Sequence, residues 1–246
     1  MQNNSKTTIL NMNFDAVTLD QLISQILLYT DKQEKCFIVT ANPEIVVHAI
    51  ENSFYKHLIH KANYVVADGI GIVMASKLLN DPLPERVAGF DTMMKLLYVA
   101  NKNKQSVYFY GAKPDVMEKF KNTIQVEFSN ISIAGYSHGY MKDTSTIVEE
   151  IKNTQPDYVF VALGMPKQEE WIANNIDNFN KGVFIGVGGS FDVLAGEVKR
   201  APDIWIKYHL EWLYRVIQEP IRFKRLFKLV KFSFLVCKEK LSNIFK

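Results

Sequence analysis

The sequence predicts an α/β fold, a mostly parallel sheet flanked by helices, with a helical C-terminal appendage. Three observations predict it. Short apolar, β-branched runs alternate with longer segments of helical periodicity, turn residues follow the ends of the apolar runs, and beyond residue 203 only helical patterns remain. Strand alternating with helix requires right-handed crossovers, and runs without polar interruption suit strands covered on both faces. With 246 residues, 48% hydrophobic and 22% charged, the chain suits one large domain with an appendage rather than two separate cores. The same composition excludes disordered, collagen-like and disulfide-scaffold classes. The expected division is a body over 1–203, softly subdivided near 104, and an appendage over 204–246.

In chain order, helical spacing covers 18–30 and an apolar strand covers 36–40, ending in Thr40-Ala-Asn-Pro43. There Asn42 is placed to cap a helix whose first residue is Pro43. A second strand, 64–68, ends on Asp68 and runs through Gly69 and Gly71 into a helix over 71–79. A helix over 90–103 stops at Asn101-Lys-Asn-Lys-Gln105, and a strand at 107–111, a helix at 114–128, a strand at 131–135 and a helix at 144–153 follow. The strand at 158–164 leads through Gly164-Met-Pro166 to a helix with Lys167, Gln168 and Glu169 in its first turn. The last strand, 183–187, enters Gly186-Val-Gly-Gly-Ser190, with Ser190 as the expected next cap. In an open, Rossmann-like sheet, ligands bind beyond the carboxyl ends of the strands, where helix N-termini offer N–H groups to anions. These loops define one rim for a phosphate-bearing ligand. An acid at the tip of so apolar a strand as 64–68 is costly unless paired or used, which marks Asp68 for function over a plain capping role. Thr40 is either an ordinary β-branched strand residue or, beside the Asn42-Pro43 helix start, a ligand contact.

The net charge of +3 conceals an asymmetry. Residues 204–246 carry ten Lys and Arg against three Glu, a net +7, while the body carries 19 basic and 23 acidic residues, a net −4. Phe223, Leu226, Phe227, Val230, Phe234, Cys237 and Leu241 recur at three- and four-residue steps and form one apolar face. Lys224, Lys228, Lys231 and Lys238 form another. Such a basic amphipathic helix fits an anionic membrane surface through 222–246, against a plain docked helix as the bland alternative. No nucleic-acid motif accompanies the charge. Arg215, Arg222 and Arg225, at seven- and three-residue steps, fall on one helical side and suit a diphosphate. The first residues lead into no apolar h-region, and the longest uncharged stretch near the C-terminus is six residues (232–237), which predicts a cytoplasmic protein attached peripherally. Cys36 and Cys237 are too dissimilar in setting to predict a disulfide.

Other chemistries lack their signatures. No Gly-x-Gly-x-x-Gly occurs, which argues against a nicotinamide-dependent oxidoreductase. His57 and His60 stand three apart without a third ligand, and no Asp-x-Asp exists among twelve aspartates. No metal or other cofactor is therefore expected, and leaving phosphates would be held by Arg, Lys or helix N-termini. A non-catalytic nucleotide-sugar-binding scaffold does not account for an acid and arginines aimed at one rim. A rim bared by displacement of the appendage would favour pairing with a second subunit.

The motifs Thr40-Ala-Asn-Pro-Glu-Ile45, Ala67-Asp-Gly-Ile-Gly71, Glu85-Arg-Val-Ala-Gly89, Gly164-Met-Pro-Lys-Gln-Glu169, Gly186-Val-Gly-Gly189, Arg200-Ala-Pro202 and Glu211-Trp-Leu-Tyr-Arg215 occur in order. Together they resemble the WecG/TagA/CpsF family of bacterial glycosyltransferases, from about residue 9 to 225. The first motif is most similar to the TagA/TarA branch, the N-acetylmannosaminyltransferases of wall teichoic acid synthesis. The resemblance implies metal-independent transfer of N-acetylmannosamine from a UDP-sugar donor to the 4-hydroxyl of N-acetylglucosamine on undecaprenyl diphosphate. Inversion would give a β-1,4 linkage. It implies Asp68 as general base with Thr40 beside it, and Asn42, Arg86 and Gln168 lining the pocket. Gly164, Gly188, Gly189 and Asp192 complete the substrate-binding set on the rim loops. Arg215, Arg222 and Arg225 would belong to an appendage that closes over the site at the membrane and holds a diphosphate. Related enzymes use N-acetylmannosaminuronic acid, glucose or galactose donors, so the resemblance leaves the donor sugar open.

Overall fold

A computed structural model describes residues 5–208, 211–218 and 223–244, with the backbone alone at 203, 206, 215, 223–225 and 244. Six strands form one parallel sheet: β3 (Lys35–Ala41), β4 (Tyr64–Ala67), β5 (Ser106–Gly111), β6 (Ser132–Ser137), β7 (Tyr158–Ala162) and β8 (Gly182–Gly186). Their spatial order is β4-β3-β8-β7-β5-β6, with every pairing parallel. All six sequence-predicted strands are present. From β3 the chain steps outward to β4 and then crosses to the other half of the sheet. The crevice at such a change of direction is where open α/β sheets bind ligands.

The strands are apolar because helices cover both faces, and the period-2 alternation sorts their side chains. Cys36, Ile38 and Val66 pack in one cluster with α1 (Leu19–Asp31), α5 (Gly89–Asn103), α6 (Pro114–Glu127) and α9 (Ser190–Leu194). Phe37, Val39, Val65 and Ala67 pack in another with α2 (Pro43–Glu51), α3 (Ser53–Ile59), α4 (Ile70–Leu78), α7 (Ser145–Thr154) and α8 (Lys167–Asn175). Local signals fix the ends. Thr18 and Gln21 close a capping box on α1. Asn42 Oδ1 accepts from the Ile45 N–H at 3.0 Å, so the expected cap forms with Pro43 at the first helical position.

Two features depart from expectation. An antiparallel hairpin, β1 (Lys6–Ile9) and β2 (Met12–Asp15), precedes α1. Leu10 and Asn11 turn it with φ of 51° and 58°, and buried Asp15 accepts from the Val65 N–H of β4 at 2.9 Å. Ser190 is not a cap: it is the first residue of α9, and its hydroxyl donates to the Val187 carbonyl at 2.6 Å. The cap falls to Gly189. Pro166 stands at the cap of α8, and Lys167, Gln168 and Glu169 fill its first turn as expected.

Beyond the body lie α10 (Asp203–Lys207), α11 (Glu211–Gln218) and α12 (Phe223–Ile244). The apolar stripe expected along α12 is not the one that docks. Phe232 and Val236, buried to 2% and 3% exposure, with Leu229 beside them, pack α12 on α2 and α4. Phe227, Val230, Phe234 and Leu241 are left 56–70% exposed. One helix therefore carries two apolar stripes, and the docked one also contains Glu239, which accepts the Leu10 N–H at 3.0 Å. Among the described residues no helix is long and apolar enough to cross a membrane.

Candidate active site

Four adjacent strands, β4, β3, β8 and β7, end at the same edge, and the next residues of each chain segment line a cavity of about 970 Å³. Asp68 follows β4, Asn42 follows β3, Gly188 and Gly189 follow β8, and Gly164 follows β7. The cavity also takes in Thr40, Arg86 and Gln168, with Glu211, Trp212 and Val216 of α11 on its far side. The turn residues expected to share one rim thus line one cavity. Asp192 stands in the first turn of α9 and is not among the lining residues. Arg215 and Arg225 lie on α11 and α12, their side chains outside the described residues, and Arg222 lies outside them altogether.

Asp68 is held at the tip of β4 by its own backbone N–H, which donates to the Ala41 carbonyl at 2.9 Å. Its Oδ2 accepts the Gly89 N–H at 3.3 Å, and its Oδ1 lies 3.9 Å from Arg86 Nε. The carboxylate remains 31% exposed toward the cavity, enough for a ligand to reach it. A Cβ at Gly89 would stand 2.9 Å from Thr40 Oγ1 and 3.7 Å from Asp68 Oδ2, so glycine is what lets these two oxygens flank one stretch of backbone. The Thr40 hydroxyl donates to the Gly186 carbonyl at 3.4 Å.

Arg86 joins the cavity rim to α11. Its Nη2 donates to Glu211 Oε2 at 2.9 Å while its Nε faces Asp68. Burial works against its charge, but the Asp68 and Glu211 carboxylates more than offset this and hold the guanidinium above its usual range. Gln168 is oriented just as firmly. Its Oε1 accepts the Gly188 N–H at 3.0 Å and its Nε2 donates to Glu169 Oε1 at 2.6 Å. A Cβ at Gly186 would lie 2.6 Å from Gln168 Nε2, so the strand end is glycine where the amide crosses it. Behind it, the Tyr55 hydroxyl donates to Glu169 Oε2 at 3.1 Å. Burial pushes the Glu169 carboxyl up to about 7.

Glu169, Tyr55 and Glu211 are roles that sequence reasoning missed. Glu169 and Glu211 belong to the quoted motifs, but only contacts across 114 and 125 residues reveal what they hold. Among the described residues no three His, Cys, Asp or Glu side chains group so as to hold a metal ion.

Comparison with known proteins agrees with this architecture. The profile of the glycosyl transferase WecG/TagA/CpsF family matches residues 7–245. The chain belongs to this family. It is 46% identical over 211 residues to a Bacillus subtilis (strain 168) protein, covering 86% of this chain and 82% of that one. It is 42% identical over 241 residues to a Staphylococcus aureus (strain MW2) protein, covering 97% and 94%. Both relatives are named N-acetylglucosaminyldiphosphoundecaprenol N-acetyl-beta-D-mannosaminyltransferase. Family membership accounts for the motif order, and the geometry accounts for why those motifs are rim loops.

Proposed function

We propose that this chain is an inverting glycosyltransferase that moves N-acetylmannosamine from a UDP donor to the 4-hydroxyl of N-acetylglucosamine on undecaprenyl diphosphate. The observation that carries the reading is a partly exposed carboxylate, Asp68, beside a fixed guanidinium, Arg86, at the mouth of a cavity built from four parallel strand ends. The names of the relatives supply the sugar and the lipid-linked acceptor.

The chemistry follows from the groups present. A sugar hydroxyl is a poor nucleophile, so Asp68 takes its proton as the new bond to the anomeric carbon forms. Inversion needs one such base and no covalent intermediate. Thr40, Asn42, Gln168, Gly164, Gly188, Gly189 and Asp192 form the candidate substrate-binding set. Arg86 and the N–H groups at the helix starts take up the charge that develops on the departing diphosphate, joined by Arg215, Arg222 and Arg225 when the appendage closes. The membrane is met through the basic appendage, where Phe227, Val230, Phe234 and Leu241 stand exposed. Such attachment is peripheral and lies on the cytoplasmic face.

The test is product mass spectrometry with lipid-linked N-acetylglucosamine and a panel of UDP-sugars. Transfer of N-acetylmannosamine supports the reading. Exclusive transfer of another sugar reassigns the donor, and donor binding without transfer makes the protein a scaffold.

A further inference from the structure

The cavity does not end at the polar rim. It continues between α4 and α12, where its walls become apolar. α4 presents Ile70, Met74 and Leu78 at four-residue steps, on one helical face, and α12 answers with Leu229, Ser233 and Cys237 at the same steps. The two rows run side by side. Leu229 Cδ1 would lie 3.7 Å from a Cβ on Gly71, which sets α12 against the first turn of α4. Farther on, Glu239 holds Leu10 of the hairpin, and β1 of that hairpin packs on α4. The cleft therefore follows α4 from Ile70 to Leu78, about 12 Å at the helical rise, and its near end opens beside Asp68, one residue before the α4 cap.

We propose that this cleft is a subsite for the first isoprene units of a polyprenyl-diphosphate-linked acceptor, an assignment that rests on the transferase reading above. Met74 and Leu78 are 62% and 45% exposed and Cys237 is exposed, so the walls are apolar surface that the fold itself leaves uncovered. Their placement inside the reaction cavity selects the occupant. A nucleotide sugar is polar along its length and matches the rim, whereas the acceptor is the substrate with a sugar at one end and hydrocarbon at the other. At about 970 Å³ the whole cavity stands at the top of the roughly 300–1,000 Å³ usual for small-molecule sites, as two substrates require. The remainder of the chain passes out beside the exposed Phe234 row, toward the bilayer.

Cys237 supplies the test, because the other thiol, Cys36, is fully buried and burial pushes its pKa far up. Maleimide labelling of the full-length protein is followed on phosphatidylglycerol vesicles, alone, with UDP-sugar, with lipid-linked N-acetylglucosamine, and with the same diphospho-sugar on a butyl group. At about ten times its dissociation constant the polyprenyl acceptor slows labelling about tenfold beyond vesicles alone, while donor and butyl analogue do not. Equal protection by vesicles alone, or by the butyl analogue, overturns the subsite. Cys237→Trp fills the cleft and lowers the kcat/KM ratio of polyprenyl to butyl acceptor about tenfold, and an equal loss on both overturns it too. Protection without any transfer keeps the subsite and sinks the transferase reading. Absence of both sinks both.

Discussion

Asp68 and Glu169 are carboxylates in opposite situations, and each predicts a different experiment. Asp68 reaches the cavity and is steadied by a backbone N–H and by Arg86, so Asp68→Asn keeps the shape and removes the proton acceptor. Transfer falls by about 10²–10⁴-fold, with donor affinity changed little, as direct titration of UDP-sugar binding would reveal. Near-normal turnover refutes the base assignment. Glu169 is buried at 2% exposure and is not among the residues that line the cavity. Its carboxyl keeps a proton to about pH 7 in the folded protein but releases it near its ordinary 4.5 when unfolded. Between those values the native state binds more protons, so its contribution to stability declines as pH rises through that window and levels off above it. Glu169→Gln removes that slope. Denaturant midpoints measured from pH 4.5 to 8 should therefore favour the variant increasingly, by on the order of 3 kcal/mol at most. Parallel curves for the two proteins exclude the effect.

Among the elements, α12 sorts its residues by which stripe they occupy. Phe232 is in the docked stripe, and Phe232→Ala costs about 3–5 kcal/mol of local stability, read as faster amide exchange along α12. Phe234, two residues on, is 67% exposed. Phe234→Ser leaves exchange and thermal midpoint almost unmoved, within about 0.5 kcal/mol, yet weakens sedimentation with anionic vesicles. If Phe234→Ser instead destabilises the fold, that stripe is packed in solution. The same helix marks the limit of what periodicity reveals. Its recurrence of apolar residues was legible, but two stripes share one wheel, and only α2 and α4, distant in sequence, decide which is buried. The six strands were legible because both-face burial demands continuous β-branched runs. The hairpin was not, since two four-residue strands joined by Leu10-Asn11 carry no glycine turn signal. Rim residues such as Asp68 and Asn42 announce themselves by following strands. Tyr55 and Glu211 do not, because their significance lies entirely in a partner more than a hundred residues away.

For the molecule as a whole, the relevant quantity is the separation of charge between residues 1–203, at −4, and the proposed appendage, residues 204–246, at +7. Arg86 and Glu211 tie α11 to the cavity rim, a pair 16% and 9% exposed whose Arg86 also faces Asp68. Seating the appendage thus occupies the guanidinium next to the base. On the proposed membrane attachment, Lys228, Lys238 and Lys240 on α12 would each add about 1 kcal/mol of attraction to an anionic surface, which salt screens over a Debye length. The rim contacts of Gln168, buried toward Glu169 and half-buried toward Gly188, feel salt far less. Raising ionic strength from about 0.05 M to 0.5 M should therefore lower both vesicle binding and transfer to vesicle-borne acceptor by more than about tenfold. UDP-sugar affinity in the absence of vesicles should change by less than about threefold, since the buried pairs that shape the rim are poorly screened. The two curves, sedimentation and transfer, should fall together. Transfer that persists after the protein has left the vesicles disproves the coupling between appendage, membrane and active site.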